Sequence, residues 1–554
     1  MAQSIDDRRQ VLEERWGPWE PMSLSQCFDS VVEQFPYRPF IITDDASLTY
    51  ATVAETSRRI ASQLSRCGVE RGDNVAMIVD NRAEFAALKI GIARIGAVAV
   101  PLNFQYRAEE LRAALAHSHT KFLFTVARSI ATDFVEALDE IAPGWETHGG
   151  GSELPDLEQV VLIDGGRESG TTLAEFVGRG EPSFDSAPVD PDSISDIVFT
   201  SGTSGHPLAA TLTHDMVLRS AYGSAFHRTF ADEWRVSFAL PMYHVFGYVE
   251  GLLASMFAGG AALPRQVFNP HTLLQAVEDH RVNEILAVPT MTVGLVEEAA
   301  KGDYDLSSLQ SVFSAAAPAP VWLWERVQAE LRPRMIFTGY GQTEVSAATT
   351  LTLPGDSLET VSETVGTLKL GGVASIDGTG RLAEYRTVSP MMGSPLSPGA
   401  EGELSVSGPI VSRGYFDDEE RNEAMFDGDW LRTGDLGTVD SAGYLRLTGR
   451  ARDLYKCGGE LVSPKEVEDV IKTLPGIEQA YVAGVPDELM GQVGAAWVVP
   501  DGDALVDSSE IRAYCRNRLA AFKVPRFVSV VSAEDLPMTT TGKVQKFLLV
   551  ERHH

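Results

Sequence analysis

The sequence predicts an α/β protein with two layered α/β subdomains, a small β-rich subdomain and a small C-terminal α+β domain. Three observations predict it. Strand-like and helix-like segments alternate over 22–126, and the rhythm returns between 197 and 337. From about Leu370 to Asp440 the pattern becomes short strands with Gly and Pro turns. After Pro464 strands and helices alternate again to the end.

The elements follow in order. Ser57–Cys67 has helical periodicity, Val75–Val79 is a short apolar strand, Ala83–Ile95 a second helix and Ala97–Leu102 a second strand. This β-α-β rhythm predicts a parallel sheet covered by helices. Gly144–Gly151, flanked by Pro143 and Pro155, reads as a loop joining two halves. Strands are expected at Ile197–Thr200, Val236–Leu240, Glu284–Val288 and Met335–Phe337. Two α/β layers of this kind fill about 350 residues. The apolar stretch Val245–Pro264 contains Glu250 and four glycines, so it reads as buried helix and turn rather than a membrane span. Glu403–Gly408 is a strand of the β-subdomain, and Pro464–Leu474 is a helix with proline in its first turn. A boundary is placed near Arg450–Asp453, giving domains 1–450 and 453–554.

Bulk properties exclude several functions. At 554 residues the chain is too long for one compact core. Its net charge of −31 repels nucleic acid and anionic lipid, so neither is an expected partner. The four cysteines, Cys27, Cys67, Cys457 and Cys515, have no CxxC spacing, which argues against a zinc site or disulfide framework. The first residues lack an apolar signal-peptide core. A reduced, cytoplasmic setting is expected. Assembly as a homodimer stays open.

Several segments carry chemistry. Thr200-Ser201-Gly202-Thr203-Ser204-Gly205, completed by Pro207, follows the strand Ile197–Phe199. Its glycines tolerate positive φ, and its hydroxyls and N–H groups suit an anion. It is not a GxxxxGK[ST] loop. Gly339-Tyr340-Gly341-Gln342-Thr343-Glu344 follows a strand end, a good place for a nucleotide and its metal. Trp430–Gly437 contains Asp435, whose two oxygens match a cis-diol, and Gly449-Arg450-Ala451-Arg452-Asp453 follows it. Ser314–Pro318 (with Ala316 and Ala317) and Pro241–Gly247 (with His244) are further candidate site turns. Lys456–Glu460 contains Gly458 and Gly459, and Thr541-Gly542-Lys543-Val544-Gln545-Lys546 lies near the C-terminus.

In this order and spacing the segments resemble the motifs of the adenylate-forming superfamily: acyl-CoA synthetases, aryl-CoA ligases, luciferases and peptide-synthetase adenylation domains. The resemblance runs from about residue 22 to 550. It implies a large N-terminal domain of two layered α/β subdomains plus a β-barrel subdomain, and a small mobile C-terminal α+β lid. It implies that Thr200–Gly205 cradles the phosphates of ATP. Tyr340 would lie on adenine, with Ala316, Ala317 and Pro318 beside it. Thr343 would contact the α-phosphate, Glu344 would hold Mg²⁺, and Asp435 with Arg450 would hold the ribose. His244 would lie between acyl pocket and phosphates. Lys543 would be the catalytic lysine, stabilising charge on carboxylate and α-phosphate. The lid would rotate about Arg452, and Lys456, Gly458 and Gly459 would then meet pantetheine.

The implied reaction joins a carboxylic acid to AMP and then to the thiol of CoA. The Gly458-Gly459 pair and Phe522–Arg526 favour a free-standing acyl- or aryl-CoA ligase. Leu208-Ala209 depart from the superfamily, which has Lys-Gly there. Three readings are open: an engineered change, tolerated drift, or a biosynthetic specialist. Such specialists pass the adenylate to an amine or carrier protein, or activate nitrite for diazotisation. A catalytically dead adenylate sensor is the non-enzyme reading, against which Glu344, Asp435, Arg450 and Lys543 all speak. Met242, Tyr243, Tyr248, Ala315, Gly339 and Ala347 are the expected acid-pocket neighbours.

Overall fold

The computed structural model describes residues 4–130, 132–165, 170–185, 187–200, 208–376, 378–457, 460–487, 490–502, 504–519, 521–538 and 544–553. The chain forms two compact units, Met1–Glu384 with Ser407–Leu431, and Tyr385–Val406 with Arg432–His554.

The first unit holds two seven-stranded sheets. Strands β1 (Pro39–Ile42) and β2 (Ser47–Thr49) come first in sequence. They are followed by β3 (Asn74–Ile78), β4 (Val98–Pro101), β5 (Thr120–Thr125), β6 (Gln159–Leu162), β7 (Thr171–Thr172), β8 (Ile194–Thr200) and β9 (Leu208–Thr213). One sheet has the order β7-β6-β5-β3-β4-β8-β9. All its pairs are parallel except β8 with β9. The helix Tyr50–Arg66 is capped by the Thr49 hydroxyl and starts seven residues before the expected Ser57. The helix Glu84–Arg94 is almost wholly buried, as a crossover packed on a sheet must be.

Strands β10 (Arg235–Phe238), β11 (Ala261–Pro264), β12 (Glu284–Ala287), β13 (Ser311–Ser314) and β14 (Met335–Phe337) build the other sheet. Its order is β14-β13-β12-β10-β11-β1-β2. The expected strands and helices of both layers are thus present, but their grouping differs. The first two strands join the second sheet. Gly144–Gly151 does not join two halves, because it lies between β5 and β6 of a single sheet. There it carries a short helix, Trp145–His148, with Trp145 buried. Glycines permit a turn, but which sheet the flanking strands join is a tertiary choice.

Val245–Pro264 is buried helix and turn, as expected, followed by a strand that was not: Phe246–Leu253 is π-helical, Ala254–Phe257 α-helical and Ala261–Pro264 is β11. Among the described residues no helix is long and apolar enough to cross a membrane. Strands β15 (Gly339–Gln342), β16 (Ala347–Leu351) and β17 (Thr367–Leu368) form a small antiparallel sheet.

The β-rich region forms a five-stranded sheet. Its strands are β18 (Glu384–Val388), β19 (Gly402–Ser407), β20 (Phe426–Asp427), β21 (Trp430–Val439) and β22 (Leu445–Arg450). The remainder of the second unit is a five-stranded sheet of β23 (Tyr455–Cys457), β24 (Glu460–Val462), β25 (Ile477–Asp487), β26 (Gly491–Pro500) and β27 (Phe527–Val530). The helix Pro464–Lys472 has proline in its first turn, as expected. It buries Val467 and Ile471 with Val482, Val498, Ile511 and Leu549 in a separate hydrophobic core.

Candidate functional site

In the sheet built on β10–β14, β10 has β11 on one side and β12 on the other. Strand order reverses there, and ligands of open α/β sheets bind beyond the carboxyl ends of strands at such a point. Three predicted segments follow such ends. Pro241–His244 follows β10, Ala315–Pro318 follows β13, and Gly339–Glu344 follows β14.

The Pro241–His244 turn is set by Asn81. Its amide donates to Leu240 O at 2.9 Å and Arg265 O at 3.0 Å, and its oxygen accepts Met242 N–H at 3.0 Å. His244 is half-buried, with its ring 4.3 Å from that of Tyr243. At the end of β13, Ala316 has φ 73°, a left-handed conformation that costs a residue with a Cβ roughly 1–2 kcal/mol. Ala316, Ala317 and Pro318 are exposed.

The Gly339–Glu344 segment is the most constrained. A Cβ on Gly341 would meet Ala347 O at 1.8 Å, so only glycine permits this strand pairing. Tyr340 is 9% exposed, and its hydroxyl accepts the Gln342 amide at 3.3 Å. Thr343–Val345 makes one 3₁₀ turn, then Ser346 and Ala347 take φ of 54° and 89°. Two adjacent left-handed residues need outside support. It comes from buried charge. Glu250 Oε1 accepts Ala348 N–H at 3.1 Å, and the Ser220 hydroxyl donates to Ser346 O. Glu250 is held in turn by Arg228 at 3.2 Å and Lys369 at 3.5 Å, and Arg228 also pairs with Glu284. All four side chains are at most 1% exposed. Burial pushes the Glu284 carboxyl up and pulls the Lys369 ammonium down.

Glu344 is 7% exposed, and its Oε1 accepts the Tyr415 hydroxyl at 2.9 Å. Its carbonyl accepts Ser412 N–H at 2.7 Å, and the Ser412 hydroxyl donates to Thr211 O of β9 at 2.9 Å. Glu344 is therefore tied to the strand that begins at Leu208. Thr200 and Leu208 are cross-strand partners. Ser201, Gly202, Thr203, Ser204 and Gly205 lie outside the described residues. Leu208 lines a groove of about 700 Å³ whose walls mix apolar side chains, among them Ala113, Phe199 and Met425, with the charged Asp418, Glu420 and Arg421.

In the second unit, Asp435 and Arg450 are directly opposite across β21 and β22. Arg450 Nε lies 3.0 Å from Asp435 Oδ1. The bend before Asp435 is made by Gly434 at φ 73°, whose N–H donates to Glu403 Oε1 at 3.2 Å. Gly458, Gly459, Lys543 and the side chain of Lys456 lie outside the described residues.

Of the residues singled out from sequence, Glu344, Tyr340, Asp435 and Arg450 are described, and Asn81, Glu250 and Tyr415, which hold the candidate segments, were not singled out as site residues. Glu250 carried one usable signal, a lone carboxylate in an apolar run. A buried charge is paired or coordinates something.

A hard cation would find a carboxylate at Glu344. Among the described residues no group of three His, Cys, Asp or Glu could hold a metal alone. This donor set fits Mg²⁺, which is usually held by one or two carboxylates together with substrate phosphates.

Comparison with known proteins agrees. The family model "AMP-binding enzyme" matches residues 28–416, and "AMP-binding enzyme C-terminal domain" matches 466–543. The 3-[(3aS,4S,7aS)-7a-methyl-1,5-dioxo-octahydro-1H-inden-4-yl]propanoyl:CoA ligase of Mycobacterium tuberculosis is 34% identical over 526 residues, covering 94% of this chain and 97% of its own. A mitochondrial medium-chain acyl-CoA ligase of Danio rerio is 29% identical over 551 residues, covering 97% and 89%. The structure of ATP-bound MatB from Rhodopseudomonas palustris superposes with a TM-score of 0.82 at 25% identity, covering 96% of this chain and 99% of that one. From its fold, its site segments and these matches, the chain belongs to the AMP-binding enzymes, and it is an ATP-dependent, AMP-forming acid–thiol ligase.

Proposed function

We propose that the chain converts a bulky, largely apolar carboxylic acid into its CoA thioester. The observation that carries the residue assignment is the Glu344 turn. A strained backbone is held from beneath by Glu250 and Ser220, and it presents one carboxylate fixed by Tyr415. That is a preorganised site for a phosphate-bound cation.

In the first half-reaction a carboxylate oxygen of the acid attacks the α-phosphorus of ATP. The bond to pyrophosphate breaks and acyl-AMP forms. Glu344 would hold Mg²⁺, which would neutralise phosphate charge. Tyr340 stacks on adenine, Thr343 positions the α-phosphate, and Asp435 with Arg450 holds the ribose. Thr200–Gly205 holds the leaving pyrophosphate through backbone N–H groups and hydroxyls. Lys543 bridges the attacking carboxylate and the α-phosphate, where negative charge accumulates. In the second half-reaction the CoA sulfur attacks the acyl carbon and AMP leaves. Here the lid turns about Arg452, within 450–453, and Lys456, Gly458 and Gly459 line the thiol's approach.

The acid class rests on two supports. Tyr248, Met242, Ala315 and Ala347 are buried around the strand ends, mixing aromatic and small side chains. The two ligases compared above act, by their names, on a bicyclic propanoate and on medium-chain acids. We also place the protein in a reducing, cytoplasmic compartment. All four cysteines are unpaired, and burial pushes their thiols up, Cys515 to about 11.

The test is an acid panel incubated with ATP and Mg²⁺, trapped with hydroxylamine and read by mass spectrometry, with and without CoA. Alicyclic and medium-chain acids should give hydroxamates without CoA and thioesters with it. If no acid yields either product, the reading is wrong.

A further inference from the structure

The reaction scheme assigns no task to Lys369, a fully buried lysine that follows β17. Its Nζ donates to Ser220 O at 3.1 Å, to Ser220 Oγ at 2.8 Å and to Ser224 Oγ at 3.0 Å, all on the helix His214–His227. Glu250 Oε1, on the π-helix, lies 3.5 Å from the same Nζ. The Lys369 backbone N–H donates to Thr349 O of β16 at 2.7 Å, and the Thr349 hydroxyl donates to Tyr340 O at 3.2 Å. A buried charge is costly unless it is paired and hydrogen-bonded, and this ammonium is both. One residue therefore joins a helix, the π-helix and the small antiparallel sheet.

These ties converge on Ala347, which takes a φ of 89° between two peptide groups. The carbonyl of the first peptide, Ser346 O, accepts the Ser220 hydroxyl, whose oxygen in turn accepts Lys369. The N–H of the second, on Ala348, donates to Glu250 Oε1, the carboxylate oxygen facing Lys369. Both peptides of the left-handed residue thus trace back to one ammonium. Ser346 N–H closes the preceding turn on Thr343 O at 3.0 Å, and Glu344 lies inside that turn. Burial pulls the ammonium down to about 8; Arg228 acts in the same sense and Glu250 against it. His227, also within reach of its charge, is held neutral by burial.

We propose that Lys369 is a positioning residue for the cation site: it fixes both peptides of Ala347 and, through them, the direction in which the Glu344 carboxylate points. The inference rests on the reading above, in which Glu344 holds Mg²⁺. The ammonium acts through protein groups, so its loss turns the metal ligand without removing it. Groups that orient a metal ligand are typically worth about ten- to a hundredfold in metal affinity or activity.

The experiment uses the full chain and reads binding as well as activity. ATP affinity of Lys369→Met, Lys369→Arg, Ser220→Ala and Glu344→Gln is measured by calorimetry with and without Mg²⁺, in the absence of acid. Acid-dependent ATP–pyrophosphate exchange is then followed against pH. Lys369→Met should weaken binding of MgATP roughly tenfold while metal-free ATP stays within about twofold, and should slow exchange roughly ten- to a hundredfold through kcat. Lys369→Arg keeps the charge and should hold both within about threefold of the parent. In the parent, exchange should fall as pH rises through about 8, where the ammonium loses its proton; in Lys369→Arg that fall should be absent. If either Lys369 variant does not fold, Ser220→Ala carries the test: it removes the link to Ser346 O alone and should weaken MgATP binding about three- to tenfold. Unchanged MgATP binding in a folded variant overturns the proposal. So does an equal loss with and without Mg²⁺, the mark of a merely structural role, and so does an alkaline fall of the same midpoint in Lys369→Arg. Glu344→Gln that binds MgATP as tightly as the parent overturns the underlying reading, a result separate from the others.

Discussion

Two charge clusters support the two halves of this enzyme, and they are built differently. Beneath the Glu344 turn, Arg228, Glu250, Glu284 and Lys369 are at most 1% exposed and balance in charge. In the lid, Lys546 and Asp453 are 23% and 31% exposed, and only Glu468 is deeply buried. A buried cluster cannot open without stranding charge in a low dielectric. A half-exposed one can, because water replaces its partners. The first suits a turn whose left-handed residues must never relax. The second suits the domain movement proposed above.

The contrast breaks or sharpens with four measurements. The largest effect belongs to the buried cluster. Glu250→Ala leaves Arg228 and Lys369 facing a void and should cost about 3–5 kcal/mol in urea unfolding, against about 1 kcal/mol or less for Glu468→Gln. Equal losses would erase the difference. Next is Lys543→Ala, which should cut ATP–pyrophosphate exchange by about 10²–10³-fold without moving Tm. A parallel fall in Tm would instead make Lys543 part of the lid's scaffold. Third, Leu208→Lys adds a charged partner for the outgoing phosphates and should lower KM for ATP, by an interaction of about 1.5–3 kcal/mol at most. An unchanged or higher value would show that the loop works without a cation at position 208.

The smallest effect is on stability just below neutral pH. His227 is fully buried, donates from Nε2 to Thr352 O at 3.0 Å and accepts Leu370 N–H at Nδ1 at 3.0 Å. Acceptance at Nδ1 requires the neutral ring. Burial, with the charges of Arg9, Arg381 and Lys369, pulls its pKa from 6.5 to about 3. The folded value is depressed, so stability present above pH 6.5 is lost as pH falls from 6.5 towards 3. Urea midpoints at pH 7 and pH 5 should differ less in His227→Gln than in the parent. Identical slopes would remove His227 from the account.

Much of the fold was legible. The strand-period segments located six strands of the two large sheets within a few residues, because local patterning reflects which face is buried, whereas the interior strands β5, β11 and β13 were not expected. The role of Gly144–Gly151 was misread, because a turn does not say which sheet its strands will join. In the site, Asp435 and Arg450 were legible as neighbouring motifs. Tyr415, Glu250 and Asn81 were not. They reach Glu344, Ala348 and Met242 across 71, 98 and 161 residues. No local signal encodes a contact of that separation.

The sequence alone determined the chemistry. The order of its motifs along the chain is enough to identify the family. Only the tertiary structure decided how those groups are held. It placed Gly341 so close to Ala347 that no other residue fits. It set a carboxylate from a buried helix under a strained turn. It gave the second lysine of a terminal motif a partner on another helix. The physical reason is the same each time. Functional groups are written residue by residue, whereas burial and pairing exist only once distant segments share one core.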